Sequence, residues 1–188
     1  MNGTAKGISV SHSGTDVFVR IVGRGTFQNG QLLRRYAMEM LERGCEQFFV
    51  DLGQCQGMDS TFLGVLAGIG LRLNQSGKGG KVHVVNVSAR NVELLQTLGL
   101  DRLFDIHLAG RDPTRRPFPE DSSFQTLPDS ELADTTKNLN KLDTASFMLE
   151  AHNNLIQADP RNAPKFRDLT KFLREKVGGA PTEPPPSG

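Results

Sequence analysis

A chain of 188 residues with 22 Lys and Arg against 21 Asp and Glu, a formal net charge of +1, can fill one good core and a small appendage. That near balance excludes the clustered cationic surplus that non-specific nucleic-acid affinity needs, so no nucleic-acid partner is expected. Two cysteines, Cys45 and Cys55, are too few for a disulfide framework, and no run of about 18 apolar residues offers a membrane span.

Residues 1–7 lack the long apolar run of a signal peptide, so the chain is expected to be cytoplasmic, with both thiols free. Residues 7–22 read as strands around the turn chemistry of Ser11 to Asp16, with Val17 to Val22 β-branched and apolar. Gly23 to Gly30 is expected to be a loop. Its first two glycines are spaced like a dinucleotide fingerprint, but Gln28 stands where the third should be. From Gln31 to Arg43, Leu32, Leu33, Tyr36, Ala37, Met40 and Leu41 recur at helical spacing, and Gly44 follows as a C-cap. Phe48 to Leu52 is a short apolar run without strict alternation, as in a strand covered on both faces. A loop turning on Gly53 and Gly57 then leads into a helix predicted from Ser60 to Gln75. Leu63, Leu66, Ala67, Gly70 and Leu71 give that helix an apolar face. Gly64 and Gly68 form a second stripe with almost no side chain. Each helical glycine costs ~1 kcal/mol relative to alanine, so the pair implies a close neighbour, either the sheet or another helix.

Ser76 to Lys81 resembles a phosphate loop only superficially: the order is wrong, and Val82 stands where the hydroxyl belongs. Val82 to Val87 is a further strand. Ser88 can cap a helix running through Leu98, with Val92, Leu95 and Leu98 inward and Gly99 at a left-handed cap. Residues 103–108 close a domain spanning 1–109, as strand or helix. Residues 110–128 have prolines among charges and no periodicity, so they read as a linker. In 129–177, Leu142, Ala145, Leu149, His152 and Ile156 give one amphipathic helix, and Phe166, Leu169, Phe172 and Leu173 a second. Such a hairpin must dock on the first domain, on a partner or on a second copy, which leaves a homodimer open. Residues 178–188 read as a disordered tail.

Catalytic chemistry finds little support. Ser60 sits on a strand-turn-helix like a nucleophile elbow, but the Gly-x-Ser-x-Gly pattern is missing. His12, His83, His107 and His152 are scattered, with no paired spacing for a metal. No enzyme activity, metal or cofactor is expected.

The stretch from Asp51 to Gly68, with Asp59-Ser60-Thr61 opening a helix, resembles the signature of the STAS domain, the fold of anti-sigma factor antagonists. The order of elements over residues 7 to 108 resembles a complete domain of that family. The resemblance implies an α/β fold, a STAS-like mixed sheet with packed helices, followed here by the C-terminal helical hairpin. It implies that Ser60 matches the serine a partner kinase phosphorylates, with Thr61 as second choice. Asp59 matches the preceding acid and Gly64 the helix glycine. The partner surface implied comprises Gly25, Thr26, Phe27, Asp59, Ser60, Thr61, Phe62 and Gly64. The partner implied is an anti-sigma factor or serine kinase, with a phosphatase as a further candidate. The family usually has glycine where this chain has Phe62, an aromatic that either obstructs a kinase or anchors the partner. The rival expectations are an unphosphorylated scaffold of the same fold and a small-ligand sensor.

Overall fold

The computed structural model describes residues 6–110, 118–128 and 141–178. Six strands form one sheet in the order β5-β4-β3-β2-β1-β6. They are β1 (Gly7–Ser13), β2 (Asp16–Gly25), β3 (Gln47–Met58), β4 (Lys81–Val87), β5 (Phe104–Leu108) and β6 (Gln125–Thr126). β1 pairs antiparallel with β2 and with β6, whereas β2 to β5 are parallel. The crossovers are α1 (Phe27–Glu42), α2 (Ser60–Gln75) and α3 (Ala89–Thr97). Strands that step in one direction through right-handed crossovers place every helix on the same face of the sheet.

The alternation of side chains fits that arrangement. Val17, Val19 and Ile21 of β2, Phe48, Val50 and Leu52 of β3, and Val82 and Val84 of β4 enter one core with α1 and α2. The intervening residues form a row of rings on the opposite face. Phe18 stacks on Phe49 at 5.2 Å, Phe49 on His83 at 4.8 Å, and His83 on His107 at 6.0 Å. Phe118 meets Phe18 edge-on at 5.3 Å.

Several expected boundaries move. β2 runs to Gly25 and α1 begins at Phe27, so the expected loop from Gly23 to Gly30 is a strand end and a helix start. Likewise β3 continues through Gly53 and Gly57 to Met58, paired with β2 across two register shifts. Part of the expected linker is ordered: Asp121–Ser123 makes a 3₁₀ turn and β6 extends the sheet beyond β1. Gly44 and Gly99 take the left-handed conformation expected of helix ends, at φ 88° and 68°. Residues 103–108 resolve as a strand, β5, entered through a 3₁₀ turn at Leu100–Arg102.

Two further helices, α4 (Lys141–Ala158) and α5 (Ala163–Gly178), joined by a 3₁₀ turn at Pro160–Asn162, form the C-terminal hairpin. Of the three partners open to it in sequence, it docks on its own first domain. α4 packs along α2, and Ala145, Ala151, His152 and Leu155 are its buried residues. The expected stripe is thus rotated slightly: Leu142 lies at the surface, as does Phe172 of α5. The start of the expected hairpin (129–140) and most of the expected tail (179–188) lie outside the described residues.

Candidate functional site

The mouth of the site is built by Asp59. Its backbone N–H donates to Gly25 O at 3.0 Å, which joins the ends of β2 and β3. One carboxylate oxygen accepts from Phe62 N at 2.8 Å and the other from Phe27 N at 2.7 Å. A single side chain therefore caps α2 and also takes an amide of the first turn of α1, two orphan donors that each helix start leaves unsatisfied. Thr26 enters α1 with its N–H on Asn29 Oδ1 at 2.8 Å. Beside Thr26 lies an open cleft of about 430 Å³, with Lys6, Arg24, Gln28 and Gln56 among its walls.

Ser60 is the first residue of α2 and is half-buried. Its hydroxyl lies 3.0 Å from His152 Nε2 of α4. The other ring nitrogen, Nδ1, is 2.7 Å from Met148 O. A carbonyl can only accept, so Nδ1 carries a proton, and in that tautomer Nε2 accepts from the Ser60 hydroxyl. Phe166 of α5 meets the His152 ring edge-on at 5.0 Å. His152 is 1% exposed.

The other candidates divide. Thr61 is 4% exposed and Phe62 0%, so neither offers a side chain to a visitor. The expectation that Phe62 obstructs a kinase or anchors a partner is corrected by its direction. The ring turns into the core and lies flat under Gly25, where an added Cβ would sit 2.6 Å from a ring carbon, and against Gly30. Glycine at 25 is thus the space that the aromatic at 62 requires, and its own place is beneath the surface. Phe27 is half-buried against Phe147 of α4, with ring centroids 5.7 Å apart.

Gly64 and Gly68 are covered as well, and the cover is the hairpin. A Cβ on Gly64 would lie 2.2 Å from Ala151 O, and one on Gly68 2.5 Å from Asn154 Nδ2. Asn154 Nδ2 donates to Gly64 O at 3.1 Å. Arg34 of α1 holds Glu150 of α4 bidentately, at 3.1 and 2.7 Å, and Arg72 approaches the same carboxylate at 3.9 Å. At the other end the hairpin turn grips the C-terminus of α3. Asn162 Nδ2 donates to Leu98 O at 2.9 Å and Lys165 Nζ to Thr97 O at 2.6 Å, two carbonyls a helix end leaves free. Asp159 lies directly over Gly99, where a Cβ would meet its carboxylate at 2.0 Å. The side-chain hydrogen bonds of Arg161, then its backbone N–H, hold that carboxyl at a pKa of about 2, below the ordinary 3.8.

Sequence reasoning missed His152 and Glu150 as neighbours of the site. His152 fell on the predicted inner face of its helix, which was the one available signal. Nothing local linked it to a serine 92 positions away. Cys45 and Cys55 are free and buried, and burial pushes both thiols up. Among the described residues no His, Cys, Asp and Glu cluster could hold a metal, and no helix is long and apolar enough to cross a membrane.

The family described as "Mlab, STAS domain" matches residues 8–108, more than half of the chain, and the protein therefore belongs to the STAS domain family. No curated protein matches it. Among solved structures it is similar to the protein TM1081 of Thermotoga maritima, at 22% identity and a TM-score of 0.48, covering 53% of this chain and 79% of that one. It is also similar to the anti-sigma factor antagonist SpoIIAA in its unphosphorylated form, at 14% identity and a TM-score of 0.44, covering 70% of this chain and 99% of that one. The phosphorylated form of the Bacillus cell fate determinant SpoIIAA gives 17% identity and a TM-score of 0.45, over 53% and 89%.

Proposed function

We propose that the protein is an anti-sigma factor antagonist in a cytoplasmic partner-switching module, binding an anti-sigma factor or serine kinase and regulated by phosphorylation at Ser60. The observation that carries this reading is the position of Ser60. It opens α2 at the place the family motif gives its acceptor serine, and it is half-exposed where the adjacent Thr61 is buried. The partner kinase transfers the γ-phosphoryl of its ATP to Ser60 Oγ, ADP leaves, and the hydroxyl proton passes to the kinase's own base. The phosphoserine then carries about −1.5 to −2 charges. At the start of α2 the free amides and helix dipole tolerate that charge, so the domain keeps its fold. A partner packed on the same surface desolvates it, and a hundredfold loss of affinity needs only ~2.7 kcal/mol. A phosphatase resets the cycle.

Binding is through Ser60 and the neighbouring Thr26-Phe27 helix start, while Gly25, Asp59, Phe62 and Gly64 shape that surface from beneath. Mass spectrometry of protein from its native cells, with binding assays on Ser60→Asp and Ser60→Ala, tests the reading. Phosphate on Ser60 and weakened binding by Ser60→Asp are the expected results. An unphosphorylated Ser60 with unchanged affinity refutes it. That outcome would favour a constitutive scaffold, a reading supported by the hydrogen bond that engages Ser60 with His152.

A further inference from the structure

The cover on α2 has the chemistry of a ligand. The two glycines form a flat track along one side of α2; over Gly64 lies backbone, with Ala151 O, C and Cα the atoms nearest a Cβ built there, and over Gly68 lies the Asn154 side chain. Only a helix with a small residue at the crossing can approach that closely. One position before Ala151, Glu150 meets the two guanidinium groups of Arg34 and Arg72. One position after it, His152 meets the Ser60 hydroxyl, and three after it Asn154 reaches Gly64 O. The track, the basic pair and the hydroxyl all belong to the STAS domain, and all face one helix.

We propose that this surface of α2 is a receptor for an amphipathic helix, that α4 is its resident occupant, and that a partner engages by presenting a helix of the same pattern and displacing α4. The partner helix carries a carboxylate, then a small residue, then a hydrogen-bond acceptor, with a side-chain amide one turn on. This rests on the reading of the Ser60 surface as the partner-docking face. Specificity follows from the two sides of the track. A large residue at the Ala151 position collides with the Gly64 backbone, and a basic one at the Glu150 position faces two like charges. The partner competes with a tethered helix, so its apparent affinity is lowered by the fraction of chains in which α4 is seated.

The full-length Ser60→Cys protein reports on this directly through its alkylation by iodoacetamide. Cys45 and Cys55 are buried and contribute only a slow background. If only the open form reacts, the rate follows the open population. The Ser60→Cys thiol is expected to react at least about thirtyfold more slowly than in guanidinium. Adding Glu150→Arg or Arg34→Glu speeds the reaction by about tenfold, and the Arg34→Glu/Glu150→Arg exchange slows it again. A synthetic peptide of residues 141–158 slows the reaction of the Glu150→Arg form, and the same peptide with Ala151→Leu does not. A parent thiol that reacts like a free one, charge reversals without effect, or a peptide that gives no protection would each overturn the proposal. Hydrogen exchange of β3 and β4 in the Glu150→Arg protein is expected to match the parent; lost protection there also overturns it, because α4 would then be holding the sheet together. Absence of phosphate on Ser60 in native cells sinks the switch reading and leaves these rates untouched.

Discussion

Replacing Gly64 by alanine sets two effects of opposite sign against each other. Within α2, alanine is the better helix former by ~1 kcal/mol. Across the interface the new Cβ would lie 2.2 Å from Ala151 O, with Ala151 C at 2.5 Å and Cα at 2.8 Å. Carbon-to-carbonyl contacts settle at about 3.3 Å or more, so α4 must withdraw by about 1 Å. No side chain can yield instead, because the obstacle is main chain. That withdrawal stretches the Asn154–Gly64 and Ser60–His152 hydrogen bonds, now 3.1 and 3.0 Å, past useful length. Overpacking of this kind costs about 1–3 kcal/mol and each lost hydrogen bond about 0.5–1.5 kcal/mol, with overlap between the two. Docking of the hairpin is therefore expected to weaken by about 2–4 kcal/mol while the rest of the domain is unchanged or slightly firmer. At 1.4 kcal/mol per decade, α4 amides should exchange roughly thirty- to a thousandfold faster than in the parent. Hydrogen exchange resolved by peptide gives the answer, with β3 and β4 as internal controls. Gly68→Ala provides the graded comparison, since its obstacle is the movable Asn154 side chain. Protection of residues 141–158 within twofold of the parent in Gly64→Ala would refute the steric argument.

Phe62→Ala removes a fully buried ring from beneath Gly25 and Gly30 and should destabilise the domain by about 3–5 kcal/mol in urea denaturation; a cost below ~1 kcal/mol would mean the ring is not seated in the core. The Asp159 carboxyl has a folded pKa of about 2 against an ordinary 3.8, so its contribution is fully present above the higher value and is lost as pH falls from there toward 2. An NMR titration of the Asp159 carboxyl carbon should show a midpoint near 2, and a midpoint near 4 would show the Arg161 clasp to be absent. Both native thiols should react slowly with a thiol-specific disulfide reagent at pH 8 until the protein is unfolded, because burial raises their pKa; fast reaction of either in the folded state would contradict their packing.

What the sequence revealed follows the range of the forces involved. Helix periodicity, the Ser88 cap and the left-handed glycines at 44 and 99 are local, and all appear where local chemistry puts them. The order of strands and helices was legible for the same reason. Glycine misled where pairing overrode it: Gly53 and Gly57 read as a turn, yet the β2–β3 ladder absorbs them through shifts in register. Gly64 and Gly68 announced a close neighbour without naming it, since their partner lies some 90 residues away. Phe62 was placed at the surface by comparison with a family glycine. Its burial depends on the space left at Gly25, a pairing between residues 37 positions apart that no periodicity encodes. The site was thus half visible: the hydroxyl and its capping acid could be found, but the helix lying over them could not.

The path of the chain after β5 adds a kinetic consequence. β5 and β6 occupy opposite edges of the sheet, and Leu127 N–H donates to Ile8 O at 2.8 Å, which pins the polypeptide at the far edge before α4 begins at Lys141. Lys141 follows that pin by about 14 residues, which bounds their separation at ~50 Å. Under the proposed exchange, α4 stays within that distance of β6, so its effective concentration remains on the order of millimolar. Recapture in that exchange outruns rebinding of a competitor present at micromolar levels, so closing the track needs no further protein, whereas removing a phosphate from Ser60 still needs the phosphatase.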